Sequence, residues 1–330
     1  MEDFTGKIAV VTGGGTGMGR ELVLQLIQEG AHVAMCDVSE ENMAETQSLA
    51  VLQEEQRLTA HACDVGDEAQ MANFRDEVAQ AHDTTHINLL FNNAGIGGGG
   101  SFIEDSRESW ERTFGVCWYG VYYGCRAFMP MLIESSEGHL INTSSVNGFW
   151  ASIGPDTPHT SYCAAKFAVK GFTEALVTEL RILAPHVHCS VVMPGHIGTS
   201  IVINSAAING GTSVTDMSDE DVDAVRRRMQ ARGVPVDNVP AEHIRQMVRQ
   251  QAEAFRDRAP TTAAQAAQII LQGIRDKRWR ILVGDDAYSL DEIVRDAPEE
   301  AYEPTVQRKM RERGHFGALV SMKTSEDEED

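Results

Sequence analysis

Short apolar runs alternate with stretches of helical period along the first two-thirds of the chain. The runs are rich in β-branched residues and end at glycines or polar residues, as strands do. Alternation of strands and helices predicts a parallel sheet with helices on both faces, and the continuous apolar character predicts strands buried on both sides. The predicted fold class is therefore α/β with a doubly wound parallel sheet. Its strands are Lys7–Thr12, His32–Cys36, Leu58–Cys63, Ile87–Phe91, His139–Thr143, His188–Met193 and Arg280–Val283, and its clearest helices are Gly17–Gln28, Glu68–His82 and Thr262–Asp276.

The alternation is interrupted after Pro194. Residues 199–260 are rich in helix formers and contain no clear strand, whereas residues 290–330 become increasingly polar and end in the acidic run Thr324–Asp330. Such a run is typical of a solvated, disordered tail. We predict one domain over residues 1–290 with a helical insertion at about 200–260, followed by a C-terminal extension over residues 291–330.

Composition narrows the choice of partners. The net charge of −21 opposes binding to phosphate backbones and anionic lipid, so we expect neither nucleic acid nor a membrane surface as a partner. The six cysteines are scattered without C-x-x-C pairs, which argues against a metal site and a disulfide framework. Residues 1–12 lack the pattern of a signal peptide, and no stretch reaches the roughly 18 apolar residues of a membrane helix. We expect a cytoplasmic protein.

A glycine-rich turn joins the first predicted strand to the first predicted helix. Glycines there permit a tight turn and close approach to a pyrophosphate, and the helix N-terminus offers unpaired N–H groups. A second run, Gly97–Gly100, lacks these flanking elements and is predicted only as a loop. The candidate cofactor-binding residues of the first turn are Gly13, Gly15, Thr16, Gly17, Met18 and Gly19.

Asp37 ends the second predicted strand. A carboxylate at this position can accept hydrogen bonds from both ribose hydroxyls of NAD and would repel the additional phosphate of NADP. No Arg or Lys lies in the turn before Gly17 or directly after Asp37, which favours NAD over NADP. The alternative is that Asp37 caps the next helix, but Ser39 is better placed for that.

A tyrosine and a lysine lie four residues apart, at Tyr162 and Lys166, and Ser144 and Ser145 end the strand upstream. On a helix, this spacing places the two side chains on one face. The pair alone is weak evidence, since such spacing is common by chance.

The motifs together resemble the short-chain dehydrogenase/reductase family over roughly residues 5–200. This resemblance implies a Rossmann fold and hydride transfer between a nicotinamide cofactor and an alcohol or carbonyl carbon. It also implies Tyr162 as the acid/base, assisted by Lys166, and Ser145 as the hydrogen-bond partner of the substrate oxygen. The motifs, in the order seen in the family, are the glycine turn, Asn92–Gly95, Ser145, Tyr162-x-x-x-Lys166 and Pro194-Gly195.

The proposed chemistry explains these residue types. A phenol has a pKa near 10, and lowering it by two to three units would require about 3–4 kcal/mol from nearby positive charge. Lys166 and the oxidised nicotinamide ring favour the phenolate in this way. Loss of a hydrogen-bond donor at the developing oxyanion, the role expected of Ser145, typically costs about 10²–10³ in rate.

The resemblance implies further cofactor contacts. Asp64 and Val65 are expected at the adenine, although Asp64 could instead cap a helix. It also implies a homodimer or homotetramer formed through the helices that carry Tyr162 and Cys117. The remaining implied residues are Asn92, Ala94 and Gly95 on the adenosine ribose side, and Pro194, Gly195, Ile197 and Thr199 around the nicotinamide.

Two features depart from the family pattern. Cys117 stands where many members carry an Asn of the proton relay, and a thiol cannot replace an amide as a hydrogen-bonding group. Either water or a backbone carbonyl completes the relay, or turnover is slow; an inert, buried cysteine is favoured over a reactive one. The interval from Ser145 to Tyr162 is also longer than usual, with the additional residues in the loop 150–160.

The substrate is less well defined by the sequence. Phe149, Trp150, Met193 and residues 201–203 indicate an apolar pocket, or equally an ordinary core. The first interpretation favours a medium-sized hydrophobic secondary alcohol or ketone. His196 could contact substrate or be structural, and Arg226–Arg228 indicates a solvated helix face more than an anion site. Two alternatives remain, an NADPH-dependent ketoreductase, which Asp37 disfavours, and a non-catalytic dinucleotide-binding sensor, which the intact Ser145, Tyr162 and Lys166 disfavour.

Overall fold

A computed structural model describes residues 1–98, 100–153, 158–208, 216–231 and 234–315. The predicted acidic tail and residues 154–157 of the loop before Tyr162 lie outside these ranges. Within the described part of the chain, no helix is both long and apolar enough to cross a membrane.

The core of the fold is a seven-stranded parallel sheet with the strand order β3-β2-β1-β4-β5-β6-β9. The order reverses between β1 and β4, and in open α/β sheets ligands bind at such a point, beyond the carboxyl ends of the strands. Two further strands, β7 and β8, form a separate two-residue pairing. The bounds are β1 Ile8–Thr12, β2 His32–Asp37, β3 Leu58–Ala62, β4 Leu89–Asn92, β5 Gly138–Thr143, β6 Val187–Pro194, β7 Ile197–Gly198, β8 Thr261–Thr262 and β9 Arg280–Val283.

Helices cover both faces of the sheet. A π-helical turn at Gly115–Tyr119 joins α4 to α5 without a break in the chain's helical course. The helices are α1 Gly17–Gln28, α2 Glu40–Leu49, α3 Glu68–His82, α4 Arg107–Phe114, α5 Gly120–Glu134, α6 Thr160–Leu183, α7 Ile201–Ile208, α8 Asp219–Ala231, α9 Ala241–Asp257, α10 Ala263–Arg275, α11 Asp285–Asp296 and α12 Pro304–Glu312.

Two apolar layers hold these helices against the sheet. Phe74 of α3 and Phe128 of α5 belong to one layer, and Leu26 of α1 and Ile270 of α10 belong to the other. Because all five residues of β1 and all four of β4 are buried, the sheet centre has no solvent face. The parallel, doubly wound sheet predicted from the sequence is therefore confirmed, with strand ends shifted by one or two residues.

The C-terminal extension contributes to the core instead of remaining separate from it. Ala301, Val306 and Met310 are buried in a cluster with Leu290 and Ile293 of α11. The apolar positions are hard to find in this polar region. Ala301 follows the 3₁₀ turn Pro298–Glu300, and Val306 and Met310 lie one helical turn apart on α12. The insertion forms the helical pair α8–α9, whose own small cluster contains Met217, Val222 and Ile244.

Candidate active site

The glycine turn is packed too closely for side chains at key positions. Gly13 and Gly17 have φ values of 69° and 55°, in the left-handed region that glycine adopts readily. An ideal Cβ at Gly19 would lie 1.9 Å from the Gly13 carbonyl oxygen, and one at Gly13 would lie 2.8 Å from the Cα of Ala94. The turn therefore lies directly against the segment that follows β4, and its role in binding a pyrophosphate stays a prediction.

Two side chains that the sequence analysis missed hold this turn from behind. Arg20 donates to the Gly15 carbonyl oxygen at 2.7 Å and pairs with Glu45 at 2.6 Å. The Thr46 hydroxyl lies 3.0 Å from the Gly14 carbonyl oxygen and is buried. Both contacts join α1 or α2 to the turn, and no local motif indicates them.

Asp37 lies at the carboxyl end of β2, directly beside the turn. One carboxylate oxygen accepts the Gly15 N–H at 3.0 Å, and the other accepts the Ser39 N–H at 3.1 Å. Ser39 itself caps α2 by accepting the Asn42 N–H at 3.2 Å. The alternative of Asp37 as the helix cap is therefore wrong, and its carboxylate faces the cavity described next.

A cavity of about 350 Å³ extends from the glycine turn along the carboxyl edge of the sheet. Helix α7 covers it, tied by the Gly97 N–H to Ser205 Oγ at 2.7 Å and by Asn204 Nδ2 to Thr16 Oγ1 at 3.5 Å. The predicted cofactor residues that line it are Gly13, Thr16, Gly17, Met18, Gly19, Asp37, Asp64, Val65, Ala94, Gly95 and Thr199.

Asp64 lines the cavity and forms an ion pair with Arg112 of α4 at 2.6 Å. The cap of α3 is Asp67, which accepts from the N–H groups of Ala69 and Gln70. The capping alternative for Asp64 is therefore wrong. Arg112 also lines the cavity, and the sequence analysis did not single it out.

Asn92 is placed differently from its prediction. Its Nδ2 donates to Asn142 Oδ1 at 2.9 Å inside the sheet, and an ideal Cβ at Gly124 would lie 2.1 Å from its Oδ1. The next residue, Asn93, lines the cavity, and Asn92 is not among the lining residues. The ribose-side role of Asn92 stays a prediction.

The residues predicted around the nicotinamide divide into two groups. Thr199 lines the cavity, with its methyl carbon 3.1 Å from an ideal Cβ at Gly17. Pro194 ends β6, Gly195 lies against Asp286, and Ile197 is buried in the apolar layer beside α1. These three form the wall behind Thr199.

The three predicted catalytic residues come together at the end of β5. Ser145 follows that strand, and its hydroxyl, which accepts the Asn147 N–H at 3.1 Å, lies near enough to Tyr162 on α6 to lower the pKa of the phenol. The Lys166 Nζ lies 5.3 Å from the centre of the Tyr162 ring and donates to the Thr143 carbonyl oxygen at 2.9 Å. The same Nζ lies 3.6 Å from an ideal Cβ at Gly95, a residue that lines the cavity, whereas Ser145, Tyr162 and Lys166 are not themselves among the lining residues.

Burial controls the resting charge of this group. It raises the pKa of Tyr162 well above its usual value, while the Ser145 hydrogen bond acts in the opposite direction. Burial also lowers the pKa of Lys166. In the protein alone, burial therefore favours the neutral phenol of Tyr162.

Comparison with known proteins agrees with this arrangement. Residues 7–207 match the short chain dehydrogenase family. The chain belongs to that family. It is 37% identical over 210 residues to SadH of Mycobacterium tuberculosis, which carries an oxidoreductase name, covering 64% of this chain and 74% of SadH. It is 33% identical over 178 residues to epidermal retinol dehydrogenase 2 of Mus musculus, covering 54% of this chain and 56% of that protein.

Solved structures of other short-chain dehydrogenases share the fold. One from Burkholderia phymatum in complex with NAD has a TM-score of 0.70 and 29% identity, covering 92% of this chain and 98% of its own. A metagenomic short-chain oxidoreductase in complex with NADP has a TM-score of 0.51 and 30% identity, covering 58% of this chain and 83% of its own. This short-chain dehydrogenase is therefore an NAD(P)-dependent oxidoreductase.

Cys117 departs from the usual short-chain dehydrogenase pattern. It is fully buried in the π-helical turn, where its Sγ donates to the Ile96 carbonyl oxygen at 3.2 Å. An ideal Cβ at Gly95 would lie 3.9 Å from Sγ and 3.6 Å from Lys166 Nζ, so the thiol lies close to the lysine. These contacts fit the inert, buried cysteine favoured from the sequence.

His159 is a neighbour of the candidate acid/base that the sequence analysis missed. Its ring is stacked on Tyr162 with 4.6 Å between centroids, and burial lowers its pKa to about 4. It precedes Tyr162 by three residues, so helical spacing is the signal that could have revealed it. A neutral imidazole therefore packs against the phenol near neutral pH.

The predicted apolar substrate pocket is wrong for three of its residues. Trp150 is buried in the C-terminal cluster and donates from Nε1 to the Ala301 carbonyl oxygen at 2.5 Å. Phe149 and Met193 pack in the adjoining core. His196 is structural, since its Nε2 lies 2.7 Å from the Phe255 carbonyl oxygen. Of residues 201–203, Ile201 lines the cavity and Val202 is 40% exposed.

The Arg226–Arg228 run lies on α8 and serves local contacts. Arg226 donates to the Val236 carbonyl oxygen, and Arg228 pairs with Asp105 at 3.4 Å. Because these partners belong to the protein itself, they favour the solvated helix face over an anion site.

Proposed function

We propose that this short-chain dehydrogenase transfers a hydride between NAD and a hydrophobic secondary alcohol or ketone. The observation that carries the proposal is the grouping of Ser145, Tyr162 and Lys166, with the Lys166 Nζ close to Gly95, a residue of the cavity that Asp37 also lines. A protein that only bound the dinucleotide would not need all three catalytic side chains.

The roles of the residues follow from their positions. Bound NAD supplies the hydride-accepting ring and the positive charge that favours the phenolate. Tyr162 accepts the proton of the alcohol hydroxyl, or returns it to the carbonyl oxygen in the opposite direction. Ser145 donates a hydrogen bond to the same oxygen, and Lys166, held at the Thr143 carbonyl, stabilises the phenolate electrostatically. Helix α7 excludes water from the cavity.

The preference for NAD over NADP is proposed from Asp37. Its carboxylate lies at the mouth of the glycine turn, where it would accept from ribose hydroxyls and repel an added phosphate. Arg20, the cation at this turn, is already paired with Glu45 at 2.6 Å and so is partly neutralised. Relatives with NAD and with NADP are both known, so family membership does not decide between them.

A hydrophobic substrate is proposed from the apolar lining and from the relatives. Ile96, Val116, Ile201 and Ile208 are among the residues that line the cavity, the last two on α7. One relative is named for a hydrophobic alcohol, retinol. We extend that only to a class, a medium-sized cyclic or terpenoid alcohol or ketone.

We also propose a homodimer or homotetramer in the cytoplasm. An aromatic surface extends along the π-helical turn, α5 and α6, with Tyr119 and Phe167 each 43% exposed. Within it, Tyr119 stacks on Tyr123 at 5.5 Å, and Trp118 packs edge-on against Phe172 at 5.5 Å. Burial of this surface between copies would remove it from water. The six free cysteines fit a reducing compartment.

A second candidate function is a dinucleotide-dependent sensor with little turnover, which Cys117 favours because it replaces an amide of the relay. The test is reduction of NAD⁺ and NADP⁺ with cyclohexanol, menthol and a 3-hydroxysteroid, followed by NADH absorbance. Turnover with NAD⁺ supports the dehydrogenase. Tight NADH binding without turnover on any of these alcohols would favour the sensor, and turnover with NADP⁺ alone would reverse the cofactor assignment.

A further inference from the structure

Asp286 is a buried carboxylate outside the segment that matches the family. It lies in the first turn of α11 and is 3% exposed. Its Oδ2 accepts the backbone N–H of His196 at 2.6 Å, a contact between residues 90 positions apart. Its Oδ1 is buried and has no hydrogen-bond partner within the described residues. A buried carboxylate is costly to desolvate, so its placement against one loop calls for an explanation.

The backbone around Asp286 is shaped to admit this carboxylate. An ideal Cβ at Gly195 would lie 2.3 Å from Oδ2, and one at Gly284 would lie 2.5 Å from Oδ1. Gly284 also has a φ of 99°, which disfavours other residues. Glycine at position 195 is therefore required by Asp286, independently of any contact with a cofactor.

The loop that Asp286 contacts continues to the cavity. On its other side, His196 contacts Phe255 of α9. Its Nε2 lies 2.7 Å from the Phe255 carbonyl oxygen, and the centroids of the two rings are 4.3 Å apart. Ile197 and Gly198 then pair with β8, and Thr199 follows against Gly17 at the cavity wall. The position of Thr199 thus depends on a short, rigid segment whose start is fixed by Asp286.

We propose that Asp286 is a positioning residue that holds the loop 194–199 in the place required by the nicotinamide half of the cofactor. The carboxylate acts through the His196 N–H and does not touch the cofactor. This inference rests on the proposed function for the location of the nicotinamide. It assigns to the C-terminal part of the chain a direct influence on one half of the cofactor site.

The test compares a full dinucleotide with a fragment that lacks nicotinamide. The dissociation constants of NADH and of ADP-ribose are measured by calorimetry for the full chain, Asp286→Ala and Asp286→Asn. Asp286→Ala removes a charged hydrogen bond and should weaken NADH about tenfold or more, while ADP-ribose changes by less than about twofold. Asp286→Asn retains an acceptor for the His196 N–H, so it should recover part of the lost affinity.

Asp285→Ala is the matched control. Asp285 is exposed in the same helical turn, so its loss removes the same charge from the helix N-terminus without touching the loop. Both affinities should remain unchanged. Should Asp286→Ala fail to fold, Gly195→Ala displaces the loop while retaining the carboxylate, and it should show the same selective loss of NADH.

Three results would overturn the inference. Equal weakening of NADH and ADP-ribose would show a general structural role, and unchanged NADH affinity in both Asp286→Ala and Gly195→Ala would remove the positioning role. If the wild-type chain bound NADH no more tightly than ADP-ribose, the proposed nicotinamide site itself would be refuted. This result is seen before any variant is made.

Discussion

The two halves of the sheet's carboxyl edge are built in different ways. The half around β1, β2 and the glycine turn is held by close backbone packing, as at Gly19 against the Gly13 carbonyl, and by side chains of nearby sequence such as Arg20 and Thr46. The half around β5, β6 and α6 is held by side chains that come from far along the chain. Examples are Trp150 with Ala301 and Asp286 with His196.

This difference separates binding from chemistry. The first half contains Asp37 and the turn that would receive a pyrophosphate, whereas the second contains Ser145, Tyr162 and Lys166. We therefore expect variants in the first half to change affinity for the adenosine part of the cofactor, and variants in the second half to change turnover or affinity for the nicotinamide part. Each of the following predictions can confirm or break it.

The largest effect is expected for Tyr162→Phe. Loss of the proposed proton carrier at the substrate oxygen should lower kcat by about 10³–10⁴-fold, with NADH affinity unchanged. Steady-state rates and a fluorescence titration of NADH measure the two quantities. Tyr288→Phe, at a tyrosine that is 52% exposed on α11, is the control and should alter neither. Substantial activity in Tyr162→Phe would exclude it as the acid/base.

Gly19→Ala tests the binding half through its backbone. The added methyl group would overlap the Gly13 carbonyl, so we expect about 3 kcal/mol of lost stability and loss of NADH binding. Gly171→Ala on α6 is the control, because an ideal Cβ there meets nothing within 4 Å. For that variant we expect the free energy of unfolding, measured in urea, to rise by about 0.5–1 kcal/mol. Unchanged stability and NADH binding in Gly19→Ala would contradict the close packing of the turn.

Asp37→Ala tests the choice of cofactor within the binding half. Loss of hydrogen bonds to a charged acceptor is worth about 1.5–3 kcal/mol, so NAD⁺ should bind roughly 10–100-fold more weakly. NADP⁺, freed from repulsion, should bind no more weakly than before. Glu40→Ala, an exposed acid nearby, should leave both unchanged. Equal weakening of the two cofactors would remove Asp37 from the ribose site.

Trp150→Phe should give the smallest effect. The ring would still pack in the C-terminal cluster, but the hydrogen bond to Ala301 would be lost, at a cost of about 1 kcal/mol in the free energy of unfolding. Trp279→Phe, at a tryptophan 43% exposed, should change stability by less than about 0.5 kcal/mol. If the two variants had the same free energy of unfolding, the C-terminal extension would contribute little to the stability of the half around β5, β6 and α6.

How far the sequence predicted the structure follows the same division. The sheet, the glycine turn and the placement of Asp37 arise from local patterns, namely strand length, glycine position and helical spacing. Trp150 and Phe149 were misplaced because an apolar residue carries no information about which distant surface covers it. Asn92 was assigned to the ribose side from the family resemblance, whereas the structure makes it the last residue of β4, bonded to Asn142 inside the sheet. Asp286 carried no motif, since its role exists only after folding, and His159 had only its spacing from Tyr162 as a signal.

We propose above that hydride transfer from a carbinol carbon to NAD⁺ takes place at the Tyr162 site. The most direct measurement uses secondary alcohols carrying deuterium on that carbon, with the recovered cofactor analysed by mass spectrometry. We expect the wild-type chain to form NADH that contains one deuterium on the nicotinamide ring, and Tyr162→Phe to form none. Unlabelled cofactor, or labelled cofactor formed equally by both chains, would contradict it.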